Sequence, residues 1–368
     1  MSTAVCRILC IPTFNAVQPL SMTVAASRLA LCVAAVFLAA SGGAAAATAE
    51  DLEACYKAQR DAAISACTAA ITSKKHHGAE LATAHVVRGN AYFSKGDYDA
   101  AIRDYDEAIR LNSKNAVAFY NRGNVYNSAA QYDAAISNFD EAIRIRPDYA
   151  NAFNNRCSAY NAKGEYDLAI RDCSQALQLD PKKANAFVGL GNAYNRKHDY
   201  DAAMKAYDEA IQLDADSVSA YLGRCSVYIG KANYSSAIEN CDKAIKLQPT
   251  NSSAWNNRCW SRAIIGRQPQ ELQQAMDDCT EALRLRPNDP YTFDTRGFVY
   301  LKMNEFDKAI ADYDLSLSFG PKRPTSLYGR GIAKLKRGDA AGGNEDIKAA
   351  TEQKPNIVEE FKDYGVQQ

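Results

Sequence analysis

The chain reads as an all-α solenoid on three observations: a fixed period, a helical apolar spacing inside each period, and helix breakers at constant places. The motif RGNAY at Arg88–Tyr92 returns as RGNVY at Arg122, RCSAY at Arg156, LGNAY at Leu190 and RCSVY at Arg224. It recurs as RCWSR at Arg258, RGFVY at Arg296 and RGIAK at Arg330, with steps of 34, 34, 34, 34, 34, 38 and 34 residues. A period of this size means like units stacked in a row, each burying its apolar face only against its neighbours.

Residues 1–49 stand outside the period. Arg28 precedes the apolar run Leu29–Ala40, followed by Ser41-Gly42-Gly43 and an alanine stretch ending Ala47-Thr48-Ala49. A basic flank, a short apolar core and an A-x-A site predict a secretory signal cleaved after Ala49, with Met22 as an alternative start. Twelve apolar residues are too few to span a bilayer comfortably, so no membrane span is expected after cleavage. Cys32 offers a lipoprotein alternative, but it stands inside the apolar run without a small residue before it. Cleavage removes Cys6, Cys10 and Cys32 and leaves eight cysteines, an even number suited to an oxidising compartment. The bacterial periplasm is the first expectation and eukaryotic secretion the second, where the sequons at Asn233 and Asn251 would matter.

Eight units follow at 82–115, 116–149, 150–183, 184–217, 218–251, 252–289, 290–323 and 324–357, after an N-terminal hairpin at 50–81 and before a cap at 358–368. In Asp99–Leu111, Ala101, Ile102, Tyr105, Ala108 and Ile109 recur at helical spacing. Small Ala101 and Ala108 let a neighbouring helix approach, and Tyr105 fills the gap. Lys95-Gly96-Asp97 separates two helices, with glycine free to turn left-handed. Pro147, Pro181, Pro249, Pro287, Pro321 and Pro355 stop the second helix or start the next unit. Aromatics recur at place four (Phe119, Phe153, Phe187, Tyr221, Trp255, Phe293) and are read as packing between units.

With Gly89, Tyr92, Ala101, Tyr105 and Ala108 at places 8, 11, 20, 24 and 27, repeated as Gly123, Tyr126, Ala135, Phe139 and Ala142, the unit resembles the tetratricopeptide repeat. The resemblance covers residues 82–357. It implies a right-handed α-solenoid of helix-turn-helix repeats, with helices A and B and a concave groove lined by the A helices.

In that fold places 8 and 24 face each other across the hairpin. They change together: glycine pairs with an aromatic in Gly89/Tyr105, Gly123/Phe139, Gly191/Tyr207 and Gly297/Tyr313, and both are cysteine in Cys157/Cys173, Cys225/Cys241 and Cys259/Cys279. Cys55/Cys67 and Cys259/Cys279 are spaced 12 and 20, a hairpin shortened or lengthened by about one helical turn. Disulfides across the four pairs are expected; buried free thiols are the other reading, since cysteine packs as a small hydrophobe. Neither a C-x-x-C nor a Cys/His cluster is present, so no metal is expected. A second covariation pairs place 7 with place 23: Arg88/Asp104, Arg122/Asn138, Arg156/Asp172, Arg224/Asn240, Arg258/Asp278, Arg296/Asp312 and Arg330/Asp346, with Leu190 meeting Ala206. These read as structural pairs within a unit.

The resemblance places residues 2, 5, 6, 9, 12 and 13 of helix A on the groove. Place 9 reads Asn90, Asn124, Ser158, Asn192, Ser226, Trp260, Phe298, Ile332, and place 12 reads Phe93, Asn127, Asn161, Asn195, Ile229, Ala263, Leu301, Leu335. The first half is amide-rich, with Asn121, Asn151, Asn154, Asn155 and Asn185 adding to it, and the second apolar, where Trp260, Phe298, Tyr291 and Tyr328 would be anchors. Asparagine offers donor and acceptor together, so a ladder of it can pair with an extended backbone. The plainer alternative is asparagine tolerated on a solvated face, against which stands its poor helix propensity. The lysine-and-arginine carboxylate clamp of the family is incomplete, its places holding Val86, Asn121, Asn151 and Asn155.

Forty-three basic and 43 acidic residues cancel, leaving no field that draws nucleic acid. Phosphate-loop, dinucleotide, H-E-x-x-H and G-x-S-x-G patterns are lacking. His76-His77 read as a solvated turn in the linker Ser73–Glu80. Ile357, Val358, Phe361 and Tyr364 make an amphipathic segment expected to cover the last exposed face. The reading is a non-catalytic envelope scaffold without cofactor, binding a protein or extended peptide; an envelope-assembly or polysaccharide-export accessory is the alternative.

Overall fold

Helix pairs follow one another along the chain in the computed structural model, which describes residues 44–366. The expected signal segment lies outside them, save that the first helix begins at Ala44, ahead of the expected cleavage point. That helix, α1 (Ala44–Lys57), pairs with α2 (Asp61–Thr72). The first four units hold α3 (Gly78–Lys95) and α4 (Tyr98–Leu111), α5 (Ala116–Ser128) and α6 (Tyr132–Ile145), α7 (Ala150–Lys163) and α8 (Tyr166–Leu179), α9 (Ala184–Arg196) and α10 (Tyr200–Leu213). The last four hold α11 (Val218–Gly230) and α12 (Tyr234–Leu247), α13 (Ser252–Ile265) and α14 (Pro269–Leu285), α15 (Pro290–Lys302) and α16 (Phe306–Phe319), α17 (Pro324–Lys336) and α18 (Ala340–Gln353). A short α19 (Ile357–Asp363) ends the series. No strand occurs among the described residues, and no helix there is long and apolar enough to cross a membrane. This is the α-solenoid of helix-turn-helix repeats that the sequence predicts.

Local chemistry sets the boundaries. Gly96 and Gly164 end their A helices in the left-handed region at φ 79° and 83°. Ala130, His198, Ala232 and Asn304 take the same place in other units at φ 54° to 62°, so the turn recurs where glycine does not. Asp97, Asp199 and Asp339 then cap the B helices through their carboxylates. Each of the six recurring prolines falls one residue beyond the C-cap of a B helix, where it blocks another turn. The extra residues of the sixth unit enlarge the turn after Ile265 and lengthen α14 to 17 residues, with Pro269 at its start.

Packing follows the place-by-place logic. Alanines at places 20 and 27, such as Ala101, Ala108, Ala169 and Ala176, are completely buried. A Cβ on Gly123 would sit 2.6 Å from the Phe139 ring, and one on Gly191 2.6 Å from Tyr207, so these glycines are required by the rings that cover them. Four disulfides join Cys55–Cys67, Cys157–Cys173, Cys225–Cys241 and Cys259–Cys279, with Cα separations of 4.5, 5.5, 5.6 and 5.4 Å. The last three match the spacing a bridge prefers.

The arginines of place 7 do more than the sequence suggests. Arg156 holds Asp172 of its own unit with Nε and Nη2, and reaches Asp140 of the preceding unit with Nη1. Arg122, Arg258 and Arg330 bridge in the same way, to Asp106, Asp242 and Asp314. Arg224 departs from expectation. It bonds Asp208 of the preceding unit, while Asn240 turns its amide to the Ser236 carbonyl. The place-four rings lie beneath these guanidiniums, Trp255 under Arg258 at 4.7 Å and Phe153 under Arg156 at 5.4 Å. At the junction of units six and seven Arg296 meets only Asp312, and Lys302 instead donates to the carbonyls of Ala263, Ile264 and Gly266 at the end of α13.

The linker also differs from expectation. The first helix of unit one starts at Gly78, and His76 is 3% exposed rather than solvated. Among the expected sequons, Asn233 and Asn251 are both helix N-caps.

The candidate binding face

From α3 to α17 each odd-numbered helix touches the next odd-numbered one, whereas no two even-numbered helices touch among the described residues. The A helices therefore stand closer together, and their common face is the inside of the curve. The residues of places 2, 5, 6, 9 and 12 lie there, as a cavity of about 270 Å³ demonstrates. Its lining is Ser226 and Ile229 from α11, Asn256, Asn257 and Trp260 from α13, Tyr291, Asp294 and Thr295 from α15, and Thr325 from α17.

The asparagines divide into two groups. Some are spent on the wall itself: Asn121 donates to Asn90 and Asn155 to Asn124, each linking one unit to the next, and Asn154 donates to Asn155. Tyr105 and Tyr207 donate to Asn90 and Asn192, fixing two more amides. Asn161 donates to the Gly189 carbonyl of the following unit. The other group retains capacity. The Oδ1 atoms of Asn127, Asn161 and Asn256 are buried and have no hydrogen-bond partner within the protein. Asn195 makes no side-chain hydrogen bond among the described residues and is partly exposed. Repetition of Asn signalled both roles without separating them, since the place 9 to place 6 link crosses a unit junction.

The apolar half of the face is occupied by the chain itself. Phe361 packs against Tyr328 with centroids 4.7 Å apart and against Phe298 at 5.8 Å, and Tyr364 meets Trp260 at 5.3 Å. Phe298, Tyr328 and Ile332 are consequently 1–2% exposed. The terminal segment thus covers groove positions of units six to eight, beyond the end face expected of it. Trp260 remains half-buried at the margin, and Tyr291 stays open at 62% exposure with the Arg323 guanidinium over its ring.

At this margin Asp294 accepts from Thr325 Oγ1 at 2.9 Å and from Ser326 Oγ at 2.5 Å. Burial raises its pKa above 3.8, against the lowering by those hydroxyls and by Arg323. It forms no ion pair with a lysine or arginine among the described residues.

The fold and its inner face define a class, the solenoid of helical hairpins that presents a concave docking surface. Tetratricopeptide-repeat models match residues 116–149, 150–183 and 184–217, and a second model of the same repeat matches 89–129. The chain is a tetratricopeptide-repeat protein, of a class that serves as protein-interaction scaffolds. A protein prenyltransferase alpha subunit repeat model matches residues 234–261, which join α12 to most of α13. Stress-induced-phosphoprotein 1 of Caenorhabditis elegans is 45% identical over 42 residues, 11% of this chain and 13% of that protein, so the match spans a small part of either. A tetratricopeptide-repeat protein from Parabacteroides merdae superposes with a TM-score of 0.54 at 19% identity, over 73% of this chain and 98% of that one. Cut9 in its complex with Hcn1 gives 0.62 at 14% identity, over 88% and 63%. At these identities the likeness is one of fold.

Proposed function

We propose that the protein is an exported scaffold that holds an extended peptide or protein segment against the concave face of its first five units. The observation that carries this reading is the set of buried amide oxygens on that face, Asn127 and Asn161 above all, with no partner in the chain. An extended backbone presents N–H groups at regular spacing, and such acceptors can pair with it whatever its side chains. The occupied apolar half supports the same assignment, since it leaves the polar half as the open surface. Export is supported by the cysteines: all eight beyond Ala49 are joined in pairs, as an oxidising compartment favours.

The test is cross-linking in the native compartment followed by recovery of partners, with wild type beside Asn127→Ala/Asn195→Ala. These two amides hold no wall contact, so the variant should fold and lose the partner. A partner list unchanged in the folded variant refutes the reading. Alkylation of the recovered protein without reductant should modify no cysteine, and modification of all eight refutes export.

A further inference from the structure

The cavity at the edge of the covered patch has a chemistry of its own. Its hydroxyls are already directed: Ser226 donates to the Leu222 carbonyl, Thr295 to the Tyr291 carbonyl, and Thr325 to Asp294. The buried capacity left over is of acceptor kind. Asn256 Oδ1 is buried without a partner, and the Asp294 carboxylate is met only by neutral hydroxyls. Trp260 and Tyr291 contribute the π faces of the wall. Arg323 stacks 4.3 Å above Tyr291 without pairing with Asp294, which shows that this ring accepts a guanidinium.

We propose that this cavity receives a cationic side chain, a lysine ammonium or an arginine guanidinium, of the protein segment bound on the concave face. A carboxylate, an unpaired amide oxygen and aromatic faces together match a group that is all donor and positively charged. The inference rests on the concave face being the docking surface and adds the chemistry of one residue of the partner.

The experiment uses the oxidised chain carrying Trp255→Phe, which leaves Trp260 as the sole tryptophan and so as reporter. Its fluorescence is followed during titration with acetyl-Gly-Lys-Gly-amide, acetyl-Gly-Arg-Gly-amide and the matching glutamine and glutamate peptides. The two cationic peptides should bind at least about tenfold more tightly than the glutamine peptide. Asp294→Asn should abolish that preference. Since Asp294 also organises hydroxyls of α17, Tyr291→Ser at an exposed ring gives a second variant, expected to weaken the arginine peptide by several-fold. Equal binding of glutamine and lysine peptides, preference for glutamate, or an unchanged preference in a folded Asp294→Asn protein would overturn the proposal. If the cross-linked partner is lost in Asn127→Ala/Asn195→Ala and retained in folded Asp294→Asn, the cation site fails while the docking surface stands.

Discussion

The pairing of places 8 and 24 can be tested by exchanging one solution for the other. Cys157 and Cys173 close a loop of sequence separation 16, for which chain entropy gives about 3 kcal/mol of stabilisation. Cys157→Ala/Cys173→Ala should lose about that much. Cys157→Gly/Cys173→Tyr would instead rebuild the Gly/Tyr pair of unit four. The neighbouring unit is already suited to it: Gly189 lies over Cys173 as Gly223 lies over the Tyr207 ring, each with space for no Cβ. Burying a large ring returns about 1.5–3 kcal/mol, so the exchange should recover at least half of the deficit. The assay is urea unfolding of three oxidised proteins, wild type and the two double variants, without reductant. A Gly/Tyr variant no more stable than the Ala/Ala variant would refute the idea that the two pairs are equivalent packings of one position.

Ending the chain at Pro355 removes Ile357 and Phe361, both fully buried, and should cost about 1.5–3 kcal/mol for each while raising binding of a hydrophobic dye at Phe298 and Tyr328. Arg156→Ala leaves Asp172 buried and unpaired and should cost about 3–5 kcal/mol in unfolding, whereas Arg224→Ala, which loses a half-exposed partner, should cost no more than about 1 kcal/mol. Ala130→Gly and Ala232→Gly relieve left-handed alanines and should each stabilise by about 1 kcal/mol in the same assay. Burial works against ionisation of Asp104 and Asp346, but Arg88 with His85, and Arg330 with Lys334, outweigh it and hold both carboxyls below 3.8. Their contribution is therefore complete above the unfolded value near 3.8 and is lost as pH falls through the lower folded values. Asp346→Asn should flatten the acid limb of the melting temperature against pH.

Relations inside one hairpin were legible because a fixed separation of 16 residues puts two places face to face. That is why the cysteines, the Gly/aromatic pairs and six of seven arginine pairs came out of the sequence. Relations across a junction were not, since they depend on how successive hairpins turn against each other. The reach of Arg156 to Asp140 and the link from Asn155 to Asn124 belong to this kind. Arg224 misled because Asn240 has a competing acceptor one turn away, the Ser236 carbonyl. The amphipathic end was visible as Ile357, Phe361 and Tyr364, but its landing on Trp260 and Phe298 spans about a hundred residues of chain and left no periodic trace. His76 was misjudged for a related reason, as histidine in a short polar linker carries no sign of what will pack over it.

All four disulfides close within a hairpin, and none crosses a junction. Each bridged hairpin therefore behaves as a stiff vertebra, while hydrogen bonds, ion pairs and apolar contact alone set the angle to the next. Tension along the array loads the joints before any covalent link. The curvature of the face is thus a mechanically soft coordinate, adjustable to what lies against it without unfolding a single unit.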